Sequence, residues 1–197
     1  MKTFLAELKI ALLLTGVLVL LLCGVYPLAV WAGAQACFPR RADGSLITDR
    51  HGVVRGSALL AQSFTGDQYF HPRPSAAGTG YDAASSGGTN LGPTSRTLAD
   101  NIRAAVQAYR RDNDLAPGTP VPADAVTSSG SGLDPDISVA NAEIQARRVA
   151  RVRHLPPATV EALVTAHTNG RDLGVFGEPR VNVLLLNLAL DRRPAAQ

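Results

Sequence analysis

The stretch with the strongest claim to chemistry is Val126–Ser138, VTSSGSGLDPDIS, which runs straight into a segment of helical character. Gly130 and Gly132 let the backbone bend close to a ligand, the small hydroxyls of Ser129 and Ser131 can donate, and the N-terminus of the helix that follows favours anions. That chemistry is phosphate binding. The stretch lacks the lysine of GxxxxGK[ST], however, and Asp134 and Asp136 put two negative charges where a phosphate would sit. A turn leading into an N-cap, with the aspartates complementing the helix dipole, accounts for the same residues.

Other chemistries find less support. His51, His71, His154 and His167 have no ligand spacing with one another or with Cys23 and Cys37, so no metal site is expected. Serines, histidines and aspartates are scattered without a G-x-S-x-G elbow, and no catalytic residue is expected. A membrane-anchored hydrolase is the remote alternative that would need one. Gly78-Thr79-Gly80-Tyr81-Asp82 echoes a potassium-filter loop, but filters need several copies around an axis. Arg147, Arg148, Arg151 and Arg153 read as a solvated basic helix end.

The elements that must carry these residues begin with an anchor. Ile10–Trp31 holds no charged side chain, and a segment crossing hydrocarbon must be a helix of about 20 apolar residues. We divide the 197 residues into a tail over 1–9, a transmembrane helix over 10–32 and one soluble domain over 33–197. A cleaved signal peptide is the alternative, since Ala34-Gln35-Ala36 has the look of a cleavage site, but signal cores run only about 7–15 apolar residues. Flanking charges, Lys2 and Lys9 against Arg40, Arg41 and Arg50, do not orient the helix. Net charge is +3 with basic residues dispersed, so no nucleic-acid partner is indicated.

Along the domain, Ser45–Thr48 and Val53–Arg55 flank a turn and predict a β-hairpin, and Ala58–Phe64 reads as strand or short helix. Residues 66–95 are rich in Gly, Ser, Thr and Pro yet carry Tyr69, Phe70, His71, Arg73, Tyr81 and Asp82, which points to an ordered docking loop rather than a linker. Helices are predicted at Thr97–Arg111, from an N-cap at Ser138 to about Arg153, and from Pro157 to a stop at Asn169-Gly170. Val181–Leu190 is apolar nearly all round; helix and strand compete there, and its leucines favour helix. The class is α+β: one N-terminal transmembrane helix, then a single mostly helical domain with a small β-hairpin or sheet.

Taken in order, the anchor, Tyr69–Ser75 (YFHPRPS), Tyr81-Asp82, Ser86–Pro93 (SGGTNLGP), Val126–Ser138 and Gly177–Val183 (GEPRVNV) resemble the C subunit of the Kdp potassium-transporting P-type ATPase. The resemblance covers nearly the whole chain. It implies an accessory subunit of a high-affinity potassium uptake complex in a bacterial inner membrane, with a channel-like subunit, an ATP-hydrolysing P-type subunit and a small single-helix subunit as partners. The chain itself has no DKTG-type phosphorylation site, and one helix cannot enclose a pore.

The family is described as a catalytic chaperone that raises the pump's affinity for ATP, which carried over here implies nucleotide contact at Ser129, Gly130, Ser131, Gly132 and Gln145. That glutamine stands a loop and a helix start beyond the Ser-Gly run, unlike a transporter signature. Structural views of the family place the soluble domain outside the cytoplasm, away from ATP, which implies instead a purely structural subunit docking on the channel-like partner. For that role the candidate residues are Tyr69, Phe70, Arg73, Tyr81, Asp82 and Asn90. No cofactor of the chain's own is expected, ATP entering only through the complex.

Overall fold

Pro27 can donate no backbone hydrogen bond, and its ring crowds the carbonyl four residues earlier. In the computed structural model, which describes residues 2–49 and 51–193, the helix is widened just before it. Helix α1 (Lys2–Val19) and α2 (Tyr26–Cys37) are joined without a break by a π-helical turn, Leu20–Val25, and the Tyr26 N–H reaches back to the Leu21 carbonyl. The continuous helix Thr3–Cys37 counts 35 residues. At 1.5 Å each that is about 50 Å, longer than a hydrocarbon core of roughly 30 Å. It extends past residues 10–32 at both ends, and its large apolar side chains are exposed, as suits a helix solvated by lipid. A short turn, α3 (Pro39–Ala42), follows.

The chain divides into two compact units after Leu46. At the start of the second, β1 (Leu46–Thr48) and β2 (Val54–Ser57) pair as the expected hairpin. The Asp49 carboxylate holds its turn, accepting from the His51 and Val53 N–H groups at 2.8 and 3.0 Å and from Arg55 Nη2 at 2.7 Å. These bonds, that from Val53 foremost, keep the carboxyl below its ordinary pKa. Ala58–Phe64 is neither strand nor helix; it is irregular backbone that docks on other segments, with Ala61 N–H donating to Leu133 O at 2.9 Å.

Helix α4 (Arg96–Asp112) starts where Ser95 Oγ accepts from Leu98 N–H. Then β3 (Asp136–Ser138) leads directly into α5 (Val139–Val152). Helix α6 (Pro157–Ala166) ends before the expected Asn169-Gly170 stop, because Thr168–Asn169 is drawn off as β4. Strand β5 (Arg180–Asn182) is central to an antiparallel sheet of order β3-β5-β4, with Ile137 opposite Val181. The apolar run from Val181 is thus split. Its first two residues complete β5, and Asn182 caps α7 (Val183–Asp191) by accepting from Leu185 N–H at 3.1 Å.

The core lies where the sheet meets α5, α6 and α7: Ile137, Val181, Ala146, Val149, Val160, Val164, Leu186 and Leu190 are buried there. One core member comes from none of these elements. Phe70, from the irregular 66–95 segment, is 0% exposed among them.

Candidate docking site

A segment without secondary structure cannot bury its backbone unless other groups satisfy its N–H and C=O. Residues 70 and 71 are inserted into the core, and two carboxamides do that work. Asn187 of α7 accepts from Phe70 N–H and donates to Phe70 O, both at 2.9 Å. Gln145 of α5 accepts from His71 N–H at 2.7 Å and donates to His71 O at 3.1 Å. Gln145 also donates to Asn141 Oδ1 at 2.9 Å and accepts from Arg148 Nη2 at 2.8 Å, which fills all four of its hydrogen-bonding positions.

Arg148 is 2% exposed. Its Nε donates to Asn113 Oδ1, and Nη1 donates to the Asp67 carbonyl. Burial lowers its pKa, while Asp67 and Asp112 oppose the shift. Arg153 donates to Gln68 O and Asp191, and lies over the Tyr69 ring at 4.9 Å from its centroid. Two of the four arginines expected on a solvated face therefore turn inward and hold the segment instead. The reason is spacing: Asn141, Gln145 and Arg148 form a stripe flanking buried Ala142, Ala146 and Val149, and the inserted loop supplies polar partners for that stripe.

The Ser-Gly run packs against the same loop. Gly132, at φ +67°, sits so close that an added Cβ would lie 2.6 Å from both Ala77 N and Gly87 O. Ser75 Oγ donates to Gly132 O at 2.6 Å, and Gly87 N–H and Ser86 Oγ donate to Ser131 O at 2.9 and 3.0 Å. Arg73 Nη1 pairs with Asp134 at 2.8 Å, and Nη2 reaches Ser128 O. Its Nε is buried without a partner. Tyr81, at φ +56°, donates through its hydroxyl to Arg73 O at 2.8 Å, and burial raises its phenol pKa.

At the start of α5 an anion's place is already taken. The Asp124 carboxylate accepts from Ser138 N–H, Ser138 Oγ and Asn141 Nδ2 at 2.8, 2.8 and 2.9 Å. Asp136 is pushed above its ordinary pKa by burial and by Asp134.

The proposed docking residues thus separate into three sets. Phe70 is buried in the core and out of a partner's reach, because its backbone is clamped and its ring completes the apolar cluster. Tyr69, Arg73 and Tyr81 are half-buried braces, while Asp82 and Asn90 are exposed. Of the proposed nucleotide residues, Ser129–Gly132 lie together against the loop, and Gln145 is buried with its amide fully engaged elsewhere. His71 points its Nε2 at Gly66 O, 3.1 Å away; burial first, then Arg148, lowers its pKa and favours the neutral ring.

Comparison with known proteins bears on what this arrangement serves. The family model KdpC, described as the K+-transporting ATPase c chain, matches residues 8–192. The chain belongs to the KdpC family. Among its relatives is a potassium-transporting ATPase KdpC subunit of Rhodospirillum rubrum, 56% identical over 189 residues, covering 96% of this chain and 97% of the relative. KdpC subunits of Caulobacter vibrioides, 53% identical over 96% of this chain and 94% of the relative, and of Myxococcus xanthus, 54% identical over 98% and 89%, are similar to it too. As a KdpC family member the chain is a subunit of a potassium-transporting ATPase, and its one described helix long and apolar enough to cross a membrane agrees with a single-pass protein. Asn141, Asn187 and Asp124 are site residues absent from the sequence reading, and Arg148 is one that it places on a solvated face.

Proposed function

We propose that this KdpC family member is a non-catalytic accessory subunit whose 66–95 loop, locked to Val126–Ser138, is a docking face for another subunit of the ATPase. The observation that carries the reading is the shared hydrogen bonding of the two segments, Gly87 to Ser131 and Ser75 to Gly132, over a loop pinned by Gln145 and Asn187. A segment with so little apolar content is held in place by three buried side chains, Gln145, Arg148 and Asn187, and what it leaves exposed is Gly78–Gly80, Asp82–Ser86 and Thr89–Thr94. Preorganisation of that kind favours binding, since little conformational freedom remains to be lost.

The partner in this reading is the channel-like potassium subunit, in a bacterial inner membrane, with the second unit outside the cytoplasm. The ATP-hydrolysing subunit and the small single-helix subunit complete the complex. The raised ATP affinity ascribed to the family then arises through assembly, without nucleotide contact, because Gln145 has no hydrogen-bonding capacity left and Asp124 holds the α5 N-terminus. The rival reading, ATP at Ser129–Gly132, draws on the exposure of Gly130 and Ser131.

The test is co-purification of the whole complex through a tag on this chain. Asp82→Arg with Asn90→Arg, both at exposed positions, should cut recovery of the other subunits at least tenfold. Undiminished recovery, together with ATP-dependent changes at Ser129–Gly132, would overturn the reading.

A further inference from the structure

Of the seven asparagines in the chain, one precedes a glycine, Asn169-Gly170. The others differ from it in structure as well as in sequence. Asn113, Asn141, Asn182 and Asn187 engage their carboxamides in hydrogen bonds, with Arg148, Asp124, Ala58 O and Phe70 O. Asn101 lies within α4, where the helix holds its backbone, and Asn90 is followed by the bulkier Leu91. Asn169 is exposed, and its carboxamide has no hydrogen-bond partner among the described residues.

The backbone around it is open as well. Asn169 ends β4, an edge strand of two residues, so it is held on one side only, by β5. Gly170 lies outside any strand and is exposed, and a Cβ built on it would meet nothing within 4 Å. Thr168 and Gly170 line a hollow of about 770 Å³, which brings water to the peptide bond between residues 169 and 170. Having no side chain, Gly170 leaves its own nitrogen approachable and its backbone free to turn. These are the conditions in which an asparagine carboxamide reacts with its own chain.

We infer that Asn169-Gly170 is a site of spontaneous deamidation through a cyclic imide, and that the product loosens β4 from the sheet. The Gly170 amide gives its proton to solvent base, and its nitrogen bonds to Asn169 Cγ. The Cγ–Nδ2 bond breaks, and ammonia leaves with a proton taken from water. Water then opens the imide. Attack at Cγ gives aspartate; attack at the main-chain carbonyl gives isoaspartate, in which the chain runs through Cβ and Cγ. One water is consumed, one ammonia is released and nothing is oxidised or reduced. Asn169 stands opposite Arg180 in register, so the new carboxylate lies on the Arg180 face of the sheet. Arg180 already pairs with Asp136 at 3.2 Å and Asp172 at 3.3 Å, and a third carboxylate crowds one guanidinium. Isoaspartate also lengthens the backbone by one atom at the paired residue, which breaks the register of so short a strand.

Incubating the folded full chain in detergent at pH 8.5, in water labelled with heavy oxygen, and mapping its peptides by mass spectrometry tests this. Residue 169 should take up one heavy oxygen and resolve into two isomeric peptides, at least tenfold faster than Asn90, which is also exposed but precedes leucine. Conversion should slow at least tenfold at pH 6, where less of the Gly170 amide is deprotonated, and at least tenfold in Gly170→Ala. The methyl added in that variant meets nothing, so the fold is kept. Conversion no faster than at Asn90, unchanged in Gly170→Ala, or seen only after the chain is unfolded in denaturant overturns the deamidation site. In the converted chain the amides of residues 168–170 should exchange hydrogen faster than in the fresh chain; equal exchange overturns the loosening of β4.

Discussion

Two irregular segments of the second unit solve the same problem in opposite ways. Residues 70 and 71 enter the core, where their backbone groups depend on the side chains of Asn187 and Gln145. Residues 171–178 stay outside, close their backbone bonds among themselves, and leave apolar side chains in solvent. The first segment contributes to stability, and in the proposed docking reading only its flanks are left to meet a partner. The second contributes little to stability. What separates them is where the backbone finds its partners.

That contrast is breakable by substitution, beginning with the buried segment. Phe70→Ala removes a ring that is 0% exposed, and should destabilise the second unit by about 3–5 kcal/mol in denaturant unfolding of the full chain. Asn187→Leu leaves the Phe70 N–H and C=O buried and unpaired, an expected loss of about 2–5 kcal/mol from two such groups. If either loss is under about 1 kcal/mol, the segment is not held in the core as described. Gly132→Ala would drive a methyl to 2.6 Å from Ala77 N and Gly87 O at a positive φ, and should lower stability by about 1–3 kcal/mol while loosening residues 75–88 in hydrogen exchange.

The pH dependence sharpens the comparison further. His71 has a folded pKa below the ordinary 6.5, so the unfolded chain takes the proton first. Stability from this group is therefore complete above about 6.5 and is lost as pH falls through that value towards the lower folded one. Melting temperature measured from pH 8 to 5 should show that decline in the native chain and a shallower one in His71→Gln. A decline of equal steepness in the variant would place its origin elsewhere. At the outer hairpin the effect should be smallest: Leu173→Asn relieves an unfavourable φ and should change stability by under about 1 kcal/mol.

Much of the framework was legible because it follows from local rules. An uncharged apolar run gave the helix that continues through Leu20–Val25, and Ser138 marked a helix start that its hydroxyl does cap. The hairpin around Asp49 followed from turn chemistry. Long-range partnerships were not legible. Nothing near Gln145 in sequence says that its amide will bond residue 71, and Arg148 in an arginine-rich stretch reads as solvated until Asp67 and Asn113 arrive beside it. Val181 reads as helix for the same reason, since only pairing with Ile137 of β3 makes it strand. Of the docking residues, Phe70 was misplaced because an aromatic in a Gly/Ser-rich segment looks exposed when the cavity that receives it is made of residues from 137 to 190.

Hydrogen exchange on the full complex, compared with the isolated full-length chain and repeated with and without ATP, tests the docking account most directly. The account predicts that assembly newly protects residues 78–91, while ATP leaves Ser129–Gly132 and residues 70–71 unchanged. Protection of Ser129–Gly132 by ATP, with no assembly-dependent change at 78–91, would contradict it.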